Sequence, residues 1–422
     1  MTAQPIVASV RSQATSPSLT RAFQIAWGLA LCFYFLEYAA RSAPAVMIPH
    51  LSLAFGTTAV GVSAILGTYY YTYSITSLIA GAALDRFGAK KAVPIGIFIL
   101  AMGCLLFSLS SATAGYSGRL LQGAGSAFAF TGAVYLATHG FSARWLATAI
   151  GVTQCLGMLG GAAGQFVVGP SLEKGIAWQT VWHSLGIASI AIGVLLFVIT
   201  PAESRPQSAS SNWVSVLRPY SVVFRNPQSY LCGAVAGLLF VPTTIGDMTW
   251  GVAFFQRDRM FNYHNAVVTG SLIPLGWVIG CPLLGWLADR IGRRKPVLMG
   301  GAVVMLLSAA GIAFTTSHAA AAAGCLIFGI ASGAAMIPYT IIKEVNPDEV
   351  KGSATGGINF LTFGVTALVG PIFADHIGKG IASTPNHVAH FRESGLFWMI
   401  SIMASILLSV FLRETGHAPC KA

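Results

Sequence analysis

The sequence is short of charge. Asp, Glu, Lys and Arg make up 9% of its 422 residues, against about 25% in a soluble globular chain. A water-facing surface cannot be built from so few, so a soluble multidomain enzyme is excluded first. The seven cysteines (Cys32, Cys104, Cys155, Cys232, Cys281, Cys325 and Cys420) include no CxxC pair. Six lie in apolar runs, where packing rather than disulfide or metal chemistry is expected. The histidines form no HExxH pattern, and no glycine-rich phosphate loop ending in Gly-Lys-Ser/Thr occurs. Zinc-protease and nucleotide-hydrolysing chemistry are therefore not expected, nor is any cofactor. If the chain moves something, a gradient drives it. No apolar stretch with a small-residue cleavage site opens the chain. Residues 1–21 are read as a disordered cytoplasmic tail.

What the chain has is apolar length. Hydrophobic residues reach 55%. Twelve apolar runs occupy 22–48, 60–84, 92–111, 115–138, 145–170, 182–200, 229–255, 265–288, 297–316, 319–342, 352–374 and 395–412. Each is long enough, at roughly 20 residues, to cross about 30 Å of hydrocarbon as a helix. The 47 glycines suit helices packed backbone to backbone. Pro242, Pro274, Pro282 and Pro338 fall inside runs and are expected to mark kinks. With the N-terminus in the cytoplasm, the cytoplasmic segments hold sixteen Lys and Arg and the opposite segments five. That asymmetry places both termini inside. It also accounts for the net charge of +11 without nucleic acid. Residues 201–228, with Pro201, Pro206 and several serines, are a cytoplasmic linker. They separate six-span units at 22–200 and 229–413, and 414–422 are a second cytoplasmic tail.

The halves repeat one another. GAALDRFGAKKAV (81–93) matches GWLADRIGRRKPV (285–297), pairing Gly81, Asp85, Arg86, Gly88 and Lys91 with Gly285, Asp289, Arg290, Gly292 and Lys295. Both copies follow the second span of their half. Gly169-Pro170 and Gly370-Pro371 repeat near the ends of spans 5 and 11. A doubled G-x-x-x-D-R-x-G-x-x-K turn in a twelve-span chain resembles the major facilitator superfamily. The resemblance implies an all-α integral membrane protein of two pseudo-symmetric six-helix bundles, working by alternating access. It also implies an inner gate. Gly81 and Gly285 would let spans 2 and 8 approach a neighbour closely. Asp85 would cap span 11 near Ser353, and Asp289 would cap span 5 near Ala147. Arg86, Lys91, Arg290 and Lys295 would add charge contacts.

Charge within the spans is rarer still. Glu37 and Arg41 lie in span 1, Arg119 in span 4 and Asp247 in span 7. Under three-helix repeats these spans are equivalent, and in the superfamily they line the central cavity. A charge at mid-bilayer costs about 2.5–3.5 kcal/mol on an insertion scale, so four retained charges point to a water-filled path. By helical rise Glu37, Arg41 and Asp247 lie about 22–28 Å up their spans, and Arg119 about 6 Å down its own. Arg offers a planar fork suited to a carboxylate or phosphate. Arg41 is either such a ligand or the ion-pair partner of Glu37 one turn away, and Arg119 either a ligand or an interfacial snorkel. Glu37 and Asp247 are the candidate proton carriers. Tyr69 and Tyr73 share a face of span 2 and can present hydroxyls to a substrate. Gln154, Gln165 and Asn359 are lesser candidates, and Lys343 and Glu344 suit a gate.

EYAARSAPAVMIP in span 1 and GRLLQGAGSA in span 4 are similar to the anion-cation symporter branch of the superfamily. Two positions depart from it: Ala40 and Ser126 stand where that branch commonly has acids. The expected function is proton-coupled uptake of a small organic anion or zwitterion by a monomeric inner-membrane carrier in a bacterium. The rival is proton-coupled export of an amphipathic compound such as a drug or siderophore.

Overall fold

The computed structural model describes residues 17–202, 213–383 and 388–416. Among these there is helix and no strand. The helices are α1 (Pro17–Ser42), α2 (Ile48–Phe55), α3 (Ala59–Phe87), α4 (Ala89–Phe107), α5 (Ala112–Gly140), α6 (Ala143–Phe166), α7 (Val168–Glu173) and α8 (Trp178–Ile199). There follow α9 (Trp213–Arg225), α10 (Pro227–Val241), α11 (Gly251–Arg257), α12 (Tyr263–Ile291), α13 (Lys295–Phe314), α14 (His318–Ser332), α15 (Ile337–Glu344), α16 (Lys351–Ser383) and α17 (Val388–Val410). Every apolar run lies on helix. Among the described residues, ten helical segments are long and apolar enough to cross a bilayer. An eleventh requires joining α2 to α3 across a 98° bend, and the apolar part of α17, Gly395–Val410, is shorter than a span. The middle of α3 carries Thr68, Tyr69, Thr72, Tyr73, Ser74 and Ser77, which lowers its hydropathy where the site is built.

Local chemistry sets the breaks. Gly88 and Gly292, matched in the repeat, both take positive φ, 69° and 68°, where a Cβ would clash. Each ends one helix of its pair before the next begins. Pro242 opens a π-helical turn, Pro242–Asp247, after α10. Pro338 follows a 3-10 turn, Gly333–Met336, at the start of α15. Pro274 and Pro282 sit inside an unbroken α12. Proline thus breaks the α-ladder at two of the four expected positions.

Packing divides the helices into two groups. In the first, α1 packs on α5 and α6, α4 on α5 and α8, and α3 on α5. In the second, α10 packs on α16 and α17, α12 on α14, and α13 on α14 and α17. Glycine makes the closest of these contacts. Gly276 and Gly280 on α12 face Gly329 and Gly333, and a methyl on any of the four would lie within 3.0 Å of facing backbone. The groups meet along two seams, α3 against α16 and α6 against α12. These pair span 2 with span 11 and span 5 with span 8, as a two-fold repeat requires. Large apolar side chains such as Phe98, Phe197 and Leu307 are exposed on the outside, as hydrocarbon solvent permits.

The linker holds a helix. Residues 203–212 lie outside the described residues, but α9 is amphipathic, with Tyr220 and Val223 buried and Arg218 exposed. It lies on α16, α10 and α3.

Candidate functional site

Glu37 and Arg41 stand one turn apart on α1, at 0% and 2% exposure. Arg41 donates to Glu37, and so does the Tyr69 hydroxyl from α3. Arg41 also reaches Tyr69 Oη through Nε at 3.2 Å and Nη2 at 3.0 Å. Its guanidinium carbon lies 4.2 Å from the Tyr38 ring centre, 4.8 Å from Tyr73 and 5.1 Å from Phe363. Aromatic faces hold a cation well where water is absent. Phe363 belongs to α16, so both groups of helices enclose Arg41. Two atoms of the pair have no hydrogen-bond partner: Glu37 Oε2 and Arg41 Nη1.

Arg119 joins from α5. Its guanidinium lies 4.8 Å from the Tyr69 ring centre and 5.9 Å from that of Phe107. Nη1 donates to Gln122 Oε1 at 2.6 Å and to the Ala40 carbonyl at 3.2 Å, while Nε has no partner. At 2% exposure it is buried in protein and is not a snorkelling residue. Its helix begins at Ala112, so it lies about 10 Å along the axis rather than the expected 6 Å. Gln122 was not a sequence candidate, although its place three residues after Arg119 puts both on one face. Ser126, where the branch has an acid, is buried with its hydroxyl unpartnered.

Beside this charged cluster Tyr34, Tyr38, Tyr73, Tyr339, Gln154 and Asn359 line a small central cavity with Phe363. Tyr34 donates to Gln154 at 3.2 Å and Tyr339 to Asn359 at 2.7 Å. The free space is about 10 Å³, room for about one water. That space is too small for a metabolite.

Asp247 is not brought into this cluster. It ends the π turn, 2% exposed, and accepts from Gln165 Nε2 on α6 at 3.3 Å. Oδ1 has no partner.

Hydrogen bonds tie the two groups at both ends of the site. Away from the signature turns, Trp250 Nε1 donates to Ser63 at 3.1 Å and Tyr263 to the Val46 carbonyl at 2.8 Å. Tyr70 donates to the Thr244 carbonyl at 3.2 Å, a cross-link that packing alone would not have suggested. Toward the signature turns, Ser74 donates to the Phe360 carbonyl at 2.7 Å. Tyr220 of α9 donates to the Leu78 carbonyl at 3.0 Å. Its hydroxyl fills a notch between two glycines: a Cβ on Gly81 would lie 3.1 Å from it and one on Gly356 2.7 Å.

The signature residues divide unequally. Gly81 admits the linker's Tyr220, not a neighbouring span. Gly285 has no atom within 4 Å of a Cβ built on it, so the close approach expected there does not occur. The side chains of Asp85 and Ala147 lie outside the described residues. Arg86 lies over the Phe87 ring and Arg290 over Trp286. Lys91 is exposed. Asp289 accepts from Arg294, which also reaches Glu344 at 2.9 Å. Burial works against the charge of Arg294, but hydrogen bonds to Glu344 and Asp289 hold its pKa above the ordinary value. Lys295 donates to the Val410 carbonyl at 2.8 Å. Glu414 accepts from the backbone of Arg294 and Lys295 at 2.7 and 3.1 Å. These bonds bind the second half to itself.

Two groups of apolar helices close over a buried charged centre, as in membrane transporters built from two repeats. The chain belongs to the Major Facilitator Superfamily, whose family model matches residues 30–371. It is 22% identical over 417 residues to the probable sulfoacetate transporter SauU of Cupriavidus necator, covering 91% of this chain and 93% of that one. It is 31% identical over 184 residues to the glucose transporter GlcP of Staphylococcus epidermidis, 40% of this chain and 41% of that one. Among solved structures, a bacterial homologue of the lysosomal transporter Spinster, inward-facing and unoccupied, superposes with a TM-score of 0.73. It is 14% identical and covers 93% of this chain and 97% of its own, a likeness of fold alone.

Proposed function

We propose that this transporter takes up a small organic anion or zwitterion together with a proton, as a monomer in a bacterial inner membrane. The observation that carries the reading is the pairing of two buried arginines, Arg41 and Arg119, around Tyr69 with one carboxylate, Glu37. With Glu37 ionised the cluster is cationic by one charge. A substrate carboxylate that displaces Glu37 from Arg41 leaves Glu37 buried without its counter-ion, and protonation relieves that cost. Substrate anion and proton then enter together and the charge of the site is unchanged. Tyr69 and Tyr73 orient the substrate, with Arg119 as the second anion contact. SauU, aligned over most of the chain, supports this reading, since sulfoacetate is an organic anion.

Alternating access follows if units 22–200 and 229–413 rock about the site, with both termini cytoplasmic. The turns carrying Gly81, Asp85, Arg86 and Lys91 and Gly285, Asp289, Arg290 and Lys295 then form the inner gate. The test is uptake into proteoliposomes under an imposed pH gradient. The panel holds labelled carboxylates, sulfonates, sugar acids, neutral sugars and a lipophilic cation. Acid-outside stimulation of an anion's uptake is expected. Transport confined to the neutral or cationic members would reject the reading, and extrusion of the lipophilic cation would favour export instead.

A further inference from the structure

The geometry points to a sodium site between Asp247 and Gln165, over Gly270. Three observations meet there. Asp247 Oδ1 and Gln165 Oε1 are buried oxygens without hydrogen-bond partners. They converge: a point one Cβ bond above Gly270 lies 3.0 Å from Gln165 Oε1 and 3.1 Å from Asp247 Oδ1. Leaving aside Thr269, Ser271 and the glycine's own helix backbone, no other atom of the described residues lies within 4 Å of that point. Both oxygens are nearer that point than ordinary carbon contact, and Asp247 also borders an apolar cavity of about 90 Å³, room for a few waters.

Two acceptors facing one small space call for something positive between them, a proton on Asp247 or a small metal cation. A buried carboxylate without a counter-ion is strongly unfavourable, and one amide hydrogen bond at 3.3 Å is a weak substitute. Sodium is close in size to calcium, which takes oxygen ligands at about 2.3–2.6 Å. A shift of a few tenths of an ångström brings both oxygens to that range, with water completing the shell. The position matters as well. Gln165 lies on α6 and Asp247 on the π turn after α10, so the ion would join the two groups of helices. Occupancy then favours closure at the end of the site away from the signature turns. The breaking of the α-ladder at Pro242–Asp247 fits, because ion sites in transporters gather at interrupted helices.

This site is independent of the proposed proton at Glu37 and needs no substrate, so either reading can fail alone. The experiment is thermal unfolding of the full-length protein in detergent. NaCl replaces choline chloride at constant ionic strength and pH, with KCl as a second control. A saturable rise of about 1–2 °C at ten times Kd is expected with sodium, and little with potassium. Asp247→Asn and Gly270→Ala should abolish it, while Glu37→Gln should retain it. Gln165→Leu should weaken sodium about tenfold. Gln165→Glu keeps the acceptors and adds charge, so it should tighten sodium, which serves if another variant fails to fold. Equal stability in sodium and choline would overturn the proposal. So would an undiminished sodium shift in Asp247→Asn or Gly270→Ala.

Discussion

Glu37 and Asp247 are both acids sealed inside the protein, and they are held in opposite ways. Glu37 has a guanidinium and a tyrosine hydroxyl on one oxygen, inside a ring of aromatic faces. Asp247 has one amide hydrogen bond and, on its other oxygen, an open notch. The same functional group therefore has different chemistry in the two places. An acid with a fixed cation beside it marks a place where another anion can stand. An acid without one marks a seat for a cation. Net charge sharpens the contrast, since two arginines flank Glu37 and the partner found for Asp247 is an uncharged amide.

The contrast breaks most severely at Arg41. Arg41→Ala leaves Glu37 buried without its cation, which should cost about 3–5 kcal/mol of stability as well as substrate affinity. Arg41→Lys retains charge within reach of Glu37, so most of the stability should survive. Its affinity should nevertheless fall nearly as far, because the planar fork is lost. Unfolding temperature and binding calorimetry on both variants separate the two effects. Near-parental affinity in the lysine variant would make Arg41 a structural partner only.

Glu37→Gln comes next. It should abolish accumulation driven by a pH gradient while sparing counterflow exchange, since an amide mimics the protonated acid but cannot release a proton. Accumulation at the parental level would remove Glu37 as the carrier. A smaller effect is expected at the linker. Tyr220→Phe deletes one neutral hydrogen bond, worth about 1 kcal/mol, and should raise maleimide labelling of Ser353→Cys about fivefold. An unchanged rate would show that α9 does not restrain the gate. The smallest effect is expected for Arg294→Ala. Its partners Asp289 and Glu344 are partly solvated, so the loss should stay within about 1 kcal/mol and shrink with salt. A larger, salt-independent loss would mean the cluster is more buried in the working protein.

Much of the architecture was legible because hydrocarbon imposes a simple pattern. Apolar runs became helices, and the repeat at Gly88 and Gly292 fell on two turns with the same left-handed φ. Glu37 and Arg41 were legible as a pair from their four-residue spacing. Tyr69 was a candidate for its hydroxyl, but no spacing reveals that it lies between two arginines from different helices. The Tyr220 notch joins three distant segments, and neither glycine that forms it identifies its visitor. Gly81 and Gly285 match in sequence yet face a tyrosine and open space, because the linker occurs once in a chain whose halves occur twice. Asp247 was placed beside the arginines by helical rise alone. The π turn and the packing of α6 direct it to Gln165 instead.

The central claim is that Arg41 exchanges Glu37 for a substrate anion while Glu37 takes up a proton. Counting protons per anion tests it most directly. Proteoliposomes holding a pH-sensitive dye are presented with the transported anion at zero membrane potential, for the parent chain and for Glu37→Gln. The account predicts one proton entering with each monoanion in the parent, and exchange without proton movement in the variant. Anion uptake with no proton in the parent, or with the same proton flux in the variant, would contradict it.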